Sequence, residues 1–385
     1  MDSDITVAQV EHWAAELEAL TERIAPRFRR VEARRRVGAL LRGLLSAAER
    51  KNGWQLAELA GEATPDGMQR LLNHARWDAE QVRDDLRGYV VEHLGDPGGV
   101  LVVDETGFVK KGTRSAGVQR QYTGTVGKKE NCQVGVFLAY ASDRGAALID
   151  RALYLPEGWS GDPARRRAAS IPEQVEFQTK PQLARSMLER ALDAGVPTGW
   201  VTADEAYGQD KRLRVWLEAR EIPHVLAVKS NESLVSMRLG FERADALVAA
   251  VRADAWQRVS AGAGAKGQRL YDWVAIPIRP LREPGVGHWL LARRSLDDGE
   301  LAYYVCYGPA ETTLVELVRV AGARWMVECC FQQAKGEAGL DHYQVRRYDA
   351  WYRHVTLSML AHAFLVVMRA RQRQTTATQP HTGGQ

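Results

Sequence analysis

Two short apolar runs in this 385-residue chain each end on an aspartate followed by a glutamate, and they restrict the possible folds more than any other feature. The first is Leu101-Val102-Val103-Asp104-Glu105-Thr106-Gly107 and the second is Trp200-Val201-Thr202-Ala203-Asp204-Glu205-Ala206-Tyr207-Gly208. A continuous apolar run marks a strand covered on both faces, and such strands belong to sheets layered with helices. If the two strands are neighbours, about 4.8 Å apart, Asp104 and Asp204 project from adjacent strand ends and can share a cation. The alternative for each aspartate is that it only organises its own turn. In an extended strand adjacent side chains point oppositely, so Glu105 and Glu205 are expected to face away from any such cation.

The surrounding sequence supplies the helices. From Val7 to Leu94 apolar residues recur at three and four, as in Val10, Trp13, Leu17 and Leu20, which predicts an all-α N-terminal region. Within it Trp54–Ala60, a break at Gly61, and a second helix opening at Thr64-Pro65 form either a DNA-reading helix-turn-helix or plain bundle packing. After Asp96-Pro97-Gly98-Gly99 the first buried strand is followed by strand-like segments at 121–125, 132–141 and 147–155. A loop with Arg165, Arg166 and Arg167 comes next, then helices alternating with strands to Val228. Strand-like runs at 256–260, 269–278, 288–293 and 301–306, separated by Gly-rich or charged turns, predict a mostly antiparallel insertion. Helix returns over 313–335 and 350–371, and the Thr-, Gln- and Gly-rich residues 372–385 are expected to be disordered.

The formal charge of +4 is too mild to name a partner, but its distribution is uneven. Residues 23–42 carry eight arginines, Arg34 and Arg35 among them, against the single acid Glu32, which makes an anion-seeking face or a solvated helix. Four cysteines without CxxC spacing read as reduced thiols of a cytosolic protein. The apolar stretch 355–368 is too short for a membrane span.

A third candidate group lies in Arg324-Trp325-Met326-Val327-Glu328-Cys329-Cys330-Phe331-Gln332-Gln333-Ala334-Lys335. At about 100° per residue Glu328 sits roughly 40° round the helix from Arg324, and Lys335 returns to within about 20° of both. Arg324 and Glu328 make an ordinary i,i+4 pair on a solvated face, or they border a cleft. The apolar company of Trp325, Val327, Cys330 and Phe331 favours the cleft.

Taken together, Asp104, Asp204 in its Asp-Glu-Ala-Tyr-Gly setting, and Arg324-x3-Glu328-x6-Lys335 resemble the DDE transposases of bacterial insertion sequences. The steps of 100 and 124 positions between the three acids suit the subgroup with a β-rich insertion before the glutamate. One position departs from the signature: the tyrosine usual three places before the arginine is Ala321 here. The resemblance implies an α/β multidomain chain. Its parts are an α-helical DNA-binding domain over 1–96, a ribonuclease H-like mixed-sheet core over 97–230 and 311–371, and the β-rich insertion over 231–310 between them.

It further implies Asp104, Asp204 and Glu328 as catalytic ligands of two Mg²⁺ ions, with Mn²⁺ able to substitute, and Asp104 as the bridging ligand. The partner is double-stranded DNA, both the element's terminal inverted repeats and the target, held by a homodimer. Arg324 and Lys335 are expected phosphate contacts. Lys110, Lys111, Arg114, Lys128 and Lys129 are expected to line the DNA channel or to be solvated loop charges. Arg346, Arg347, Arg353 and His354 fall in a stretch that also resembles this group, and Trp256, Trp273 and Trp289 either stack on an unpaired base or fill the core. Competing readings are a nuclease of the same fold without strand transfer, a catalytically idle DNA-binding protein and, with paired carboxylates alone, a carbohydrate hydrolase.

Overall fold

Residues 6–238, 240–264, 267–279 and 287–378 are described by the computed structural model. The three-and-four apolar period folds the N-terminal stretch into α1 (Val7–Ile24), α2 (Val31–Leu44), α3 (Gly53–Leu59), α4 (Asp66–Asn73) and α5 (Ala79–Leu94). Polar side chains start three of these helices: Thr6 with Gln9 in a capping box, Asn52, and Asp78. Helices α3 and α4 flank the turn at Gly61, whose φ of +71° suits a residue without Cβ.

The chain then forms β1 (Val100–Val109), β2 (Gln119–Thr123), β3 (Lys128–Ser142) and β4 (Gly145–Tyr154). Next come α6 (Glu157–Ser160), α7 (Pro163–Ala168) and α8 (Lys180–Asp193), so the three arginines expected in a loop lie on a short helix. They are followed by β5 (Trp200–Ala203), α9 (Glu205–Gly208), α10 (Lys211–Ala219), β6 (His224–Val228), β7 (Ser233–Val235), β8 (Phe241–Arg243) and α11 (Ala244–Ala249). The remainder is β9 (Gln257–Gly264), β10 (Gly267–Pro277), β11 (His288–Arg294), β12 (Leu301–Tyr307), α12 (Leu314–Ala338) and α13 (Tyr348–Thr378).

Among the described residues ten strands share one sheet, ordered β2-β3-β1-β5-β6-β12-β11-β10-β9, with β4 also on the outer edge of β3. The segment β4-β3-β1 is antiparallel, whereas β1-β5-β6 is parallel. The β-rich stretch does not stand apart from this sheet, because β12 pairs antiparallel with β6 and carries β11, β10 and β9 outward. Helix α12 crosses β1, β4, β5 and β6 and reaches β9, where a Cβ on Gly322 would meet the Ala261 carbonyl oxygen at 2.2 Å. That glycine is what lets helix and strand approach so closely.

The N-terminal helices share their core with the sheet. One cluster runs from Leu20, Leu41 and Leu86 through Val102 and Phe137 to Val355 and Leu360. Buried charge joins the same parts: the side chain of Arg151 in β4 is 0% exposed, donating to Glu80 and the Ala79 carbonyl of α5 and to Thr356 of α13. Asp150 accepts from Arg83 of α5 and Arg190 of α8. The boundary expected at residue 96 therefore divides helices from strands without dividing the core. The tail expected from 372 is corrected in part, since α13 continues through Thr378; the residues after it lie outside the described ones. No described helix is long and apolar enough to cross a membrane.

Candidate active site

Asp104 is not at a strand end. Strand β1 runs on to Val109 because β3 pairs with it along its whole length, from Val100↔Ala141 to Val109↔Cys132. Strand β5 does end at Ala203, and Asp204 caps the single turn of α9 by accepting from the Ala206 amide at 2.9 Å. The parallel register Val103↔Ala203 makes the two aspartates follow paired residues on neighbouring strands. Asp104 is 9% exposed. Burial, and then the Asp204 carboxylate, push its carboxyl up to about 7. Asp204 is raised as well, by burial first and by the Glu105 carboxylate next.

Glu328 arrives from the middle of α12, and Arg324 one turn before it lies between the acids. The Arg324 guanidinium is 3.7 Å from Asp104 and 3.6 Å from Glu328. Burial alone would lower its pKa, but Asp104 and Glu328 raise it overall, so the cation is retained. Asp204, Arg324 and Glu328 line one cleft of about 820 Å³, with Trp325, Tyr271 and Arg293 on its walls. Among the described residues no three Asp, Glu, His or Cys side chains are already gathered as one metal-binding cluster. The donor set nevertheless fits a hard divalent cation: it is all carboxylate oxygen, two members are penalised as bare anions, and a guanidinium already stands where positive charge is favoured.

Glu105 is where strand alternation misleads. Its side chain is not free: Lys180 at the start of α8 binds one oxygen, and the Tyr207 hydroxyl donates to the other at 2.6 Å. Nothing in the sequence linked Lys180 or Tyr207 to Glu105, 75 and 102 positions away.

The basic residues divide into committed and open groups. Lys335 donates to Thr106 Oγ1 at 2.7 Å and to the Gly107 carbonyl, which pins α12 to β1. Lys110 lies 3.5 Å over the Tyr343 ring, and burial lowers its pKa to about 8. Arg347 pairs with Asp349, Arg353 donates to the Leu72 and Trp77 carbonyls, and His354 is a core residue against the Gly339 carbonyl. Lys111, Arg114, Lys128, Lys129 and Arg346 are exposed. Arg35 is exposed, and Arg34 donates to the Phe28 carbonyl. Beside them a groove of about 940 Å³ between α2 and α4 is lined by Arg29, Arg30, Arg36, Arg70, His74 and Arg76, with Glu32 as the acid. Trp273 is 1% exposed and donates to the Val259 carbonyl, so it belongs to the core; Trp289 packs on the core, and Trp256 lies under Arg294.

With this geometry in view, the chain matches two family models: a DDE superfamily endonuclease over residues 23–246 and a transposase DDE domain over residues 178–364. It is 25% identical over 320 residues to a probable transposase for insertion sequence element IS701 from Microchaete diplosiphon, covering 80% of this chain and 75% of that protein. A solved structure, the piggyBac transposase synaptic complex with hairpin DNA, overlaps 91% of this chain and 68% of its own with a TM-score of 0.44 and 12% identity.

Proposed function

This chain belongs to the DDE superfamily and is an enzyme of the DDE transposase type, and from that premise we propose that it binds the ends of its mobile element, cuts them, and joins the 3′-hydroxyl ends to target DNA. The observation that supports the proposal is Arg324, 3.7 Å from Asp104 and 3.6 Å from Glu328, beside a cleft lined by Asp204, Arg324 and Glu328. The order β4-β3-β1-β5-β6, antiparallel then parallel, supports a ribonuclease H-like core.

DDE domains use divalent metal ions, and we assign Asp104, Asp204 and Glu328 to hold a pair, Mg²⁺ by preference and Mn²⁺ in its place. When bound, such ions supply Lewis-acid activation of the attacking oxygen and stabilisation of the leaving one. The side chains do the rest. Asp104 is buried within β1 and Asp204 follows the last residue of β5, so both leave the same paired register at Val103↔Ala203. Arg324, beside Asp104 and Glu328 at the cleft, would present a planar two-toothed donor to phosphate oxygens. Lys335 holds α12, and with it Glu328, against β1.

DNA away from the cut meets the exposed Lys111, Arg114, Lys128 and Lys129 and, on the N-terminal helices, the arginine groove between α2 and α4 with Arg34 and Arg35 at its flank. Joining two ends to one target implies a pair of chains, one for each end. The test is a joining assay with a 3′-hydroxyl donor duplex. Covalent donor–target product in Mg²⁺ is the expected result, and nicking without any joined product would replace strand transfer with simple nuclease action.

A further inference from the structure

We propose that Glu105, gripped by Lys180 and Tyr207, is a positioning residue that sets Asp204 against Asp104, an inference that rests on both aspartates being metal ligands. The need for such a device is visible in the backbone. Strands β1 and β5 are paired only as far as Val103↔Ala203, and there they part: β1 continues with β3 while the chain at Asp204 turns into α9. Past that point the two aspartates have no ladder of hydrogen bonds between them. The turn that carries Asp204 is four residues long, and one helical turn has no stability of its own.

What crosses the gap is a side-chain tie. Tyr207, on the same turn as Asp204, donates its hydroxyl to Glu105 Oε2 at 2.6 Å, and Glu105 is the residue after Asp104. Tyr207 is 0% exposed, and Gly208 beside it is pressed onto β6 so tightly that a Cβ would lie 2.0 Å from the Ala227 carbonyl oxygen. The donor therefore cannot wander. Lys180 binds the other carboxylate oxygen from the first turn of α8, which a Thr179–Gln182 capping box holds in place. Each oxygen of Glu105 thus has its own donor, and the lysine compensates its charge. Glu105 is then a strut between two elements, with its carboxylate withheld from cations gathered by its neighbours.

The experiment uses the full chain. Mg²⁺ and Mn²⁺ are titrated separately while the unfolding temperature is followed, and DNA cleavage is titrated in parallel. Tyr207→Phe and Glu105→Gln are each expected to raise the metal concentration at half-maximal thermal shift by about tenfold. Cleavage should need a matching increase and recover at saturating metal. Lys180→Arg should behave as wild type, and Lys180→Met should follow the other two. Should Tyr207→Phe fail to fold, Glu105→Gln decides. Asp104→Asn is run alongside: if it abolishes the metal-induced shift while Tyr207→Phe or Glu105→Gln leaves the midpoint unmoved, the positioning role is wrong and the ligands stand. If Asp104→Asn keeps the full metal response, the ligand assignment itself fails.

Discussion

Replacing Asp104 by asparagine should make the metal-free protein more stable while removing its chemistry. The carboxyl is shifted from 3.8 to about 7 by burial and by Asp204, a rise of roughly 3 units, worth about 4 kcal/mol at 1.36 kcal/mol per unit. The sign follows from proton counting. Between those two pH values the folded state keeps a proton that the unfolded state has lost, so rising pH favours unfolding across that window. Below about 3.8 the acid is neutral in both states and carries no penalty; above about 7 the whole penalty is present. An asparagine side chain cannot ionise. The stability difference between Asp104→Asn and wild type should therefore be small in acid, grow with pH, and level off above about 7 at no more than about 4 kcal/mol. Denaturant unfolding of both proteins in a chelator, repeated at a series of pH values, measures it directly. A variant less stable than wild type at alkaline pH, or a difference that does not change with pH, would refute the reasoning.

Asp150 is 1% exposed and accepts from Arg83 and Arg190, so Asp150→Ala leaves Arg83 only its Glu80 and Asp84 partners and should cost about 1.5–3 kcal/mol in urea unfolding; a loss within a few tenths would show the network to be idle. His362 is buried and its pKa is lowered to about 4, so the folded state resists a proton that the unfolded state accepts below about 6.5. Relative to His362→Leu, wild type should therefore lose up to about 3 kcal/mol as pH falls through that window; parallel pH profiles would contradict this. Changing both Arg70 and Arg76 to glutamine should weaken duplex binding and make its logarithmic salt dependence shallower by about two. Lys110→Met should leave that slope unchanged, because its ammonium is spent on Tyr343; equal slopes for all three proteins would remove the groove from the DNA surface.

The parts of this account legible in the sequence are those set by local patterning. The apolar runs before Asp104 and Asp204 are buried strands because nothing else accommodates them, and the Arg324–Glu328 step is fixed by helical geometry. The rest depends on partners remote in the chain. Glu105-Thr106-Gly107 has the look of a strand's end, yet β3 pairs beyond it and keeps β1 extended to Val109. Four antiparallel strands between turns suggest a module of their own, whereas the β12–β6 pairing makes them part of the main sheet. Lys110 and Lys335 look like their exposed neighbours until Tyr343 and Thr106 are brought to them from 233 and 229 positions away. Polar Gln372 and Arg373 say nothing against disorder, whereas the apolar face of α13 before them carries the helix onward to Thr378.

Strand nicking of an end-containing duplex in Mg²⁺ by Asp104→Asn, Asp204→Asn and Glu328→Gln, each compared with wild type, tests the central claim most directly. All three variants should bind the duplex and none should cut it; a single one that cuts at the wild-type rate would contradict a shared three-carboxylate centre.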